Sequence, residues 1–171
     1  NKRNDLEILM PVLNPNSYNV KLCAKNNWSI VISNFCSDEV IDNHINNYLD
    51  NSKLDRNEAF KKIKLSKLIF THKDKTKAEE LVFSNKSPFL EVINTIFNKI
   101  KKFDKHTCFG KNINSTHDAA KSILLYGNPD SISKIISNKY KEISSIIYVT
   151  VPITGNDDFD NSLECFSKHV F

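Results

Sequence analysis

The chain has 171 residues, 40% hydrophobic and 26% charged, a size and composition that suit one compact domain. No stretch approaches the roughly 20 apolar residues of a membrane span, and no apolar run after a basic start indicates a signal peptide. The net charge of +4 comes from 24 basic and 20 acidic groups spread along the chain, which is no signature of a nucleic acid partner. We expect residues 1–171 to be a single soluble domain, and the missing initiator Met indicates excision from a larger protein.

The amino-acid usage is skewed: 22 Lys stand against 2 Arg, with 22 Asn and only 3 Gly. An AT-rich genome produces this pattern through codon choice, so the abundance of lysine is poor evidence for a binding surface. Specific phosphate sites also favour Arg, whose planar guanidinium binds two oxygens at once. The few glycines, in contrast, mark positions where the backbone needs special geometry.

Four cysteines are widely spaced along the sequence and form no CxxC pair: Cys23, Cys36, Cys108 and Cys165. Zinc sites and redox-active disulfides usually need such pairs, so neither is expected. Reduced thiols are typical of a cytosol. We therefore expect the protein in the cytoplasm of its source, or in a host-cell cytosol if it is secreted.

The N-terminal region has a β pattern. Three apolar runs, at residues 5–13, 18–25 and 28–36, are separated by turns rich in Asn and Pro. Asn tolerates a positive φ and Pro fixes its own φ, so these turns predict two hairpins. The third run is apolar on both faces, which indicates a central strand.

Helical periodicity follows the three predicted strands. Residues 38–51, 55–70 and 75–83 predict three helices. The most regular pattern covers residues 88–103, where Pro88 occupies the first helical position and apolar residues recur at i, i+3, i+4 and i+7. These helices are expected to cover the sheet.

The C-terminal part mixes both patterns. Residues 116–127 predict a short helix closed by a glycine, with the alternative that the run at 122–126 is itself a strand. A further helix is expected at 129–140. A β-branched run at 146–154 predicts a buried strand, and a helix is expected after Gly155.

The predicted order is therefore three strands, four to six helices, one strand and one helix. This order is typical of an α+β fold with a small, mostly antiparallel sheet of about four strands. Three N-terminal meander strands and one late strand would form the sheet, and several α-helices would cover it. No βαβ alternation supports a doubly wound parallel sheet.

Two glycine turns are the best candidates for a ligand site. Gly127 and Gly155 each precede a predicted helix, whose free N–H groups can bind an anion such as a phosphate. Tyrosines before both turns could offer a flat surface to a base. The expected ligand-binding residues are Tyr126, Gly127, Asn128, Ser131, Tyr148, Gly155 and Asn156.

His72 and Asp74 have the H-x-D spacing that non-haem iron oxygenases use for two of their three metal ligands. In those enzymes the pair lies on a strand, whereas here it lies between two predicted helices. The arginine that holds a co-substrate carboxylate is also missing, because no arginine follows Arg56. We interpret the motif as a polar helix–helix loop.

Cys108 offers a different chemistry. It lies in a predicted loop between His106 and His117, and a thiolate with a histidine base is the nucleophile of cysteine hydrolases. Asp118 is a poor partner for His117, because adjacent residues on a helix point about 100° apart. The residue types are suitable, but their spacing does not by itself establish a site.

The function that the sequence favours is a non-enzymatic small-ligand-binding module, for a nucleotide or another phosphorylated molecule, within a larger multidomain protein. A protein-interaction domain of a secreted effector from a host-associated microbe is the alternative, with a host protein as its partner. A cysteine-dependent hydrolase that uses Cys108 and His106 or His117 is the second alternative. The sequence identifies no cofactor and leaves open whether the protein is an enzyme.

Overall fold

The computed structural model describes residues 7–100, 107–150 and 157–169. Within these residues, five strands form one sheet with eight helices around it. The strands are β1 (Leu9–Val12), β2 (Ser29–Ile32), β3 (Ile63–Thr71), β4 (Leu124–Gly127) and β5 (Ser145–Val149). The helices are α1 (Tyr18–Asn26), α2 (Asp38–Asn51), α3 (Arg56–Lys61), α4 (Lys75–Phe83), α5 (Pro88–Ile100), α6 (Thr116–Ile123), α7 (Pro129–Lys139) and α8 (Asp157–His169). None of these described helices is both long and apolar enough to cross a membrane.

The strands of the sheet pair in parallel. The order β1-β2-β3-β4 is sequential, and β5 pairs with β3 along residues 64–68. Each strand is joined to the next through at least one helix, as a parallel connection requires. The prediction of a mostly antiparallel sheet is therefore wrong, and the chain does contain βαβ alternation.

The predicted N-terminal hairpins are absent because residues 18–25 lie in helix α1. Its buried residues Val20, Cys23 and Ala24 have the i, i+3, i+4 spacing of one helix face. A short apolar run of this kind fits a strand or a helix, and periodicity alone does not separate the two. Asn27 then adopts the left-handed conformation, with a φ of 58°, and ends helix α1 where a hairpin turn was predicted.

The predicted helix at residues 55–70 is two elements, helix α3 and strand β3. Asp55 caps the helix by accepting the Glu58 backbone N–H at 3.0 Å. The strand is buried on both faces along almost its whole length, which is typical of a central parallel strand. Lys and Leu are good helix formers, so local propensity favours a helix, whereas burial between neighbouring strands selects a strand.

Several predicted elements are confirmed. Helix α5 begins at Pro88 and buries Phe89, Ile93 and Phe97, and helices α2, α4 and α7 match their predicted ranges closely. The late strand forms as β5, in parallel pairing. Residues 116–127 divide into helix α6 and strand β4, so the alternative of a strand in this segment describes its second part. The final residues of the predicted helix 88–103 and of the late strand lie outside the described residues.

Strand β1 lies at one end of the sheet order. The backbone oxygen of Val12 accepts the Ser33 N–H, just beyond β2, at 3.0 Å. Backbone groups of successive strand residues point to alternate edges, so those of Pro11 face away from β2. Proline suits such an outer edge, because it has no N–H to donate to a neighbouring strand.

Helices cover both faces of β3. The Phe70 ring meets the Phe89 ring of helix α5 edge-on, with centroids 5.6 Å apart. The adjacent Thr71 hydrogen-bonds to Ser162 of helix α8. Since consecutive strand residues point to opposite faces, α5 lies on one face of β3 and α8 lies on the other.

A buried lysine lies on the same face of β3 as Thr71. The Lys67 side chain is 1% exposed, and its ammonium is 3.6 Å from the Asp38 carboxylate at the start of α2. The Lys139 ammonium and the Tyr140 hydroxyl contact that carboxylate at 2.5 and 2.6 Å. Asp38 therefore links β3, helix α2 and the end of helix α7.

The pKa values in this cluster follow from burial and charge. Burial lowers the pKa of Lys67, and Asp38 offsets only part of that shift. Burial raises the pKa of Asp38, but Lys67, Lys139 and Tyr140 together bring it below its ordinary value of 3.8. A carboxyl with a lowered folded-state pKa stabilises the fold above its unfolded pKa, and this contribution is lost as the pH falls through the folded value. Asp38 therefore stabilises the protein at neutral pH and ceases to do so in acid.

We expect Asp38→Asn to lower the free energy of unfolding by about 3 kcal/mol, because it leaves the buried Lys67 charge without its counter-ion. Lys67→Met is the matched variant. It removes the charge, keeps a long side chain, and should change the stability by less than about 1 kcal/mol. Urea unfolding followed by circular dichroism at pH 7 measures both variants. Equal losses would contradict the assignment of the effect to an unpaired buried charge.

Candidate functional site

The carboxyl ends of parallel strands commonly form ligand sites in α/β proteins, in the crevice outside the sheet. Strands β3 and β4 end side by side, at Thr71 and Gly127. The His72 backbone N–H donates to the Gly127 oxygen at 3.0 Å, which continues the ladder by one residue. We therefore locate the candidate site at this edge of the sheet.

A cavity of about 410 Å³ opens at the end of β3. Its size is within the roughly 300–1,000 Å³ of small-molecule and cofactor sites. The end of β3 and the following turn form one wall, and helix α8 forms the other. We name it the β3–α8 cavity, and its lining residues are Thr71, His72, Lys73, Asn161, Glu164, Cys165 and Lys168.

The β3–α8 cavity carries more positive than negative charge. Lys73 and Lys168 contribute two ammonium groups, and Glu164 contributes one carboxylate. A hydrogen bond from Lys168, the charge of Lys168 and the charge of Lys73 lower the pKa of Glu164. The carboxylate is therefore ionised at neutral pH and neutralises one ammonium, so that one positive charge of the described lining residues is left to attract an anion.

His72 is oriented by the turn that follows β3. Its Nδ1 accepts the Asp74 backbone N–H at 3.0 Å. Asp74 in turn caps helix α4 by accepting the Thr76 N–H at 2.8 Å. The H-x-D motif thus follows a strand, where a helix–helix loop was predicted, and its carboxylate serves as a helix cap. The described residues contain no group of three side chains that could hold a metal ion.

Three of the residues predicted to bind a ligand come together at the start of helix α7. Gly127 has a φ of 147°, and a Cβ there would lie 2.6 Å from the Ser131 Oγ, so the turn requires glycine. Asn128 caps the helix by accepting the Ser131 N–H at 2.9 Å, and the Ser131 hydroxyl donates to the Asn128 oxygen at 2.8 Å. Capping explains this turn, and ligand binding by the three residues stays a prediction.

The two predicted tyrosines, Tyr126 and Tyr148, do not share a cleft. The Tyr126 ring meets Phe83 of helix α4 edge-on at 5.1 Å, on the α5 face of the sheet. The Tyr148 hydroxyl is 3.2 Å from the Ser162 Oγ of helix α8, on the other face. Gly155 and Asn156 lie outside the described residues. The two tyrosines are therefore separated by the sheet.

Cys108 is a poor nucleophile. Cys108 is 2% exposed, and burial raises the pKa of its thiol to about 12. The thiolate fraction at neutral pH is then very small. His117 stacks on Phe83, with centroids 6.1 Å apart, and His106 lies outside the described residues. This environment does not suit the nucleophile of a hydrolase.

The sequence-based prediction missed the α8 wall of the cavity. Asn161, Glu164, Cys165 and Lys168 follow the i, i+3, i+4, i+7 spacing of one helix face. That spacing is a signal available in the sequence. It becomes interpretable only when residues 63–71 are known to be a strand, because this strand supplies the opposite wall.

Comparison with solved structures finds chains with a similar fold. The chain is similar to the oxygenating constituent of 3,6-diketocamphane monooxygenase from Pseudomonas putida, a type II Baeyer-Villiger monooxygenase in complex with FMN, with a TM-score of 0.58 and 19% identity over 96% of this chain and 48% of that chain. It is similar to monooxygenase RslO1 from Streptomyces bottropensis, with a TM-score of 0.60 and 13% identity over 96% and 47%. Flavoprotein 390 gives a TM-score of 0.53 and 12% identity over 96% and 65%. No protein-family model and no curated protein matches the chain.

These similarities show the fold alone, a mostly parallel α/β arrangement that this chain shares with those solved structures. They contradict the expected non-enzymatic module and the expected effector domain, because the proteins that share the fold are named as monooxygenases and a flavoprotein. The chain spans about half the length of the two monooxygenases, at 48% and 47%.

Cys165 should be the one cysteine of the native protein that reacts with iodoacetamide at neutral pH. It lines the cavity and is partly exposed, whereas Cys23, Cys36 and Cys108 are buried. Mass spectrometry of the labelled native protein should find a single modified thiol, and the unfolded chain should show four. Cys165→Ser is the control and should abolish native labelling. Equal labelling of Cys108 would contradict its burial.

Proposed function

We propose that the chain forms part of a flavin-dependent monooxygenase and that the β3–α8 cavity binds the phosphate end of FMN. The observation that carries the proposal is the position of this cationic cavity, at the carboxyl end of the central parallel strand of a flavin-monooxygenase fold. FMN is a phosphorylated nucleotide-like molecule. A phosphorylated ligand is therefore still expected, but at the β3–α8 cavity and not at the two glycine turns.

The residues of the cavity fit a phosphate. Lys73 and Lys168 supply ammonium donors, and Glu164 neutralises only one of them. A phosphate dianion would compete with Glu164 for Lys168 and would be repelled by its carboxylate. Lys73 therefore carries most of the proposed attraction.

The flavin ring needs a different surface. Among the described residues, the lining includes no Phe, Tyr or Trp, the side chains that give a planar ring its usual stacking surface. The chain spans about half the length of the monooxygenases it resembles. We therefore assign the ring and the oxidised substrate to the remainder of a monooxygenase-length domain, and the phosphate end to this chain.

Bound FMN would supply the electron transfer and oxygen chemistry of the reaction. The residues of this chain would bind and orient the cofactor. The turn after β3 fixes the His72 ring through the Asp74 N–H at 3.0 Å, so that the imidazole edge has a defined place beside the anion. A cytosolic location, in the source cell or in a host, stays a prediction, as does a host protein partner.

Riboflavin lacks the phosphate of FMN, so a comparison of the two ligands tests the proposal, on a protein that also contains the part assigned to the flavin ring. We expect Lys73→Ala to weaken FMN binding about fivefold, which corresponds to ~1 kcal/mol for one charge-assisted contact near solvent, and to leave riboflavin binding unchanged. Lys21→Ala, which removes an exposed lysine of helix α1, is the matched control. Quenching of flavin fluorescence on titration with protein gives the affinities.

Removal of the cavity's carboxylate should have the opposite effect on FMN affinity from removal of Lys73. Glu164→Gln removes the negative charge next to Lys168, so FMN should bind more tightly, by about threefold, with riboflavin again unaffected. The proposal fails if the native protein binds neither flavin, or if both variants alter FMN and riboflavin equally.

A further inference from the structure

The helix that forms the outer wall of the β3–α8 cavity is held to the sheet at one buried serine. We propose that Ser162 is the positioning residue of this cavity: it fixes helix α8 against β3 so that the cavity-lining side chains of α8 face the ligand. This inference rests on the proposed function for the identity of the ligand, but the placement of the helix is measurable without it.

Ser162 makes four polar contacts in the interior, one of them between its hydroxyl and that of Thr71, 3.4 Å apart. Its Oγ accepts the Thr71 backbone N–H at 2.9 Å, and its backbone oxygen accepts the Thr71 hydroxyl at 2.6 Å. The Tyr148 hydroxyl is 3.2 Å from the same Oγ. Ser162 is 1% exposed, so these contacts are shielded from competing water.

The contacts with Thr71 lie beyond the described pairing of β3 with β5. The pairing of β5 with β3 ends at Leu68, three residues before the end of β3. The Thr71 N–H therefore lies past the last β3 residue that pairs with β5, and the Ser162 hydroxyl accepts its hydrogen bond. A buried backbone N–H without an acceptor is costly. This requirement ties α8 to the strand end next to the cavity.

Ser162 also sets the rotation of the helix about its axis. Phe166 lies four residues later, and its ring is 4.7 Å from that of Tyr148, so Ser162 and Phe166 form one stripe that faces β3 and β5. Glu164 and Lys168 lie on a different stripe, which lines the cavity. A turn of the helix that broke the first stripe would carry the second away from His72 and Lys73.

Aromatic packing is the competing explanation. If the contact of Phe166 with Tyr148 were sufficient to place α8, the hydroxyl of Ser162 would contribute stability and nothing to the geometry of the cavity. The reactivity of Cys165 separates the two explanations, because this thiol lies on α8 in the cavity and reports the position of the helix with no ligand present.

The experiment compares Ser162→Ala with Ser162→Thr, which retains a hydroxyl, and with Ser167→Ala, which changes an exposed serine of the same helix. We expect Ser162→Ala to raise the rate of Cys165 alkylation about tenfold while the three buried cysteines stay unlabelled. FMN affinity should fall about tenfold in the same variant. Ser162→Thr should restore both values to within about twofold of the native protein, and Ser167→Ala should match it.

Tyr148→Phe provides a second variant if Ser162→Ala does not fold. It keeps the aromatic contact with Phe166 and removes the hydroxyl contacts with Ser162 and Thr150, so Cys165 alkylation should rise about twofold. An unchanged Cys165 rate in the folded variants, or no rescue by threonine, would overturn the role of Ser162. Absence of FMN binding by the native protein would instead overturn the proposed function and leave the labelling result interpretable.

Discussion

Strand β3 is the element that the other parts of the sheet depend on. It pairs with β2, β4 and β5, and helices cover both of its faces. A strand in this position must satisfy its backbone on both edges and its side chains on both faces. The Phe70 face does so with an aromatic contact to helix α5. The opposite face carries the apolar Ile63, Leu65 and Ile69, and it also buries the polar Lys67 and Thr71.

The face of β3 that carries Lys67 and Thr71 joins the core of the fold to the candidate site. Lys67 at its base is neutralised by Asp38, and Thr71 at its end is bound by Ser162. Buried polar groups are stable only when each is satisfied, so both partners are fixed in position. The β3–α8 cavity opens next to Thr71, where β3 ends. Its α8 wall is therefore held by interactions inside the protein, which require no ligand.

Elements with strong local signals could be predicted from the sequence. Pro88 and the apolar spacing after it define helix α5, and Ser37 caps α2. Helix α1 and strand β3 could not be predicted in this way, because whether each segment forms a helix or a strand depends on neighbours that are distant in the chain. Once Ile63–Thr71 is assigned to a helix, an α+β fold follows and the strand–helix alternation is lost.

None of the residues predicted to bind a ligand is among the described residues that line the β3–α8 cavity. Gly127 does mark the carboxyl edge of the sheet, because the scarcity of glycine in this chain made it conspicuous and the turn requires it. The α8 side chains of the cavity were not found, since Glu164 and Lys168 resemble an ordinary exposed i, i+4 pair when the opposite wall is unknown. A parallel sheet brings such distant segments together.

The outer edge of β1 has a consequence for association between molecules. No strand of the described residues pairs with this edge, and such an edge can accept a strand from a second chain, which is a common route to aggregation. Pro11 interrupts this edge, because an incoming strand would find no N–H there and would meet the pyrrolidine ring. Leu9 on the same edge is 43% exposed and apolar, so the proline offsets a surface that would otherwise favour self-association.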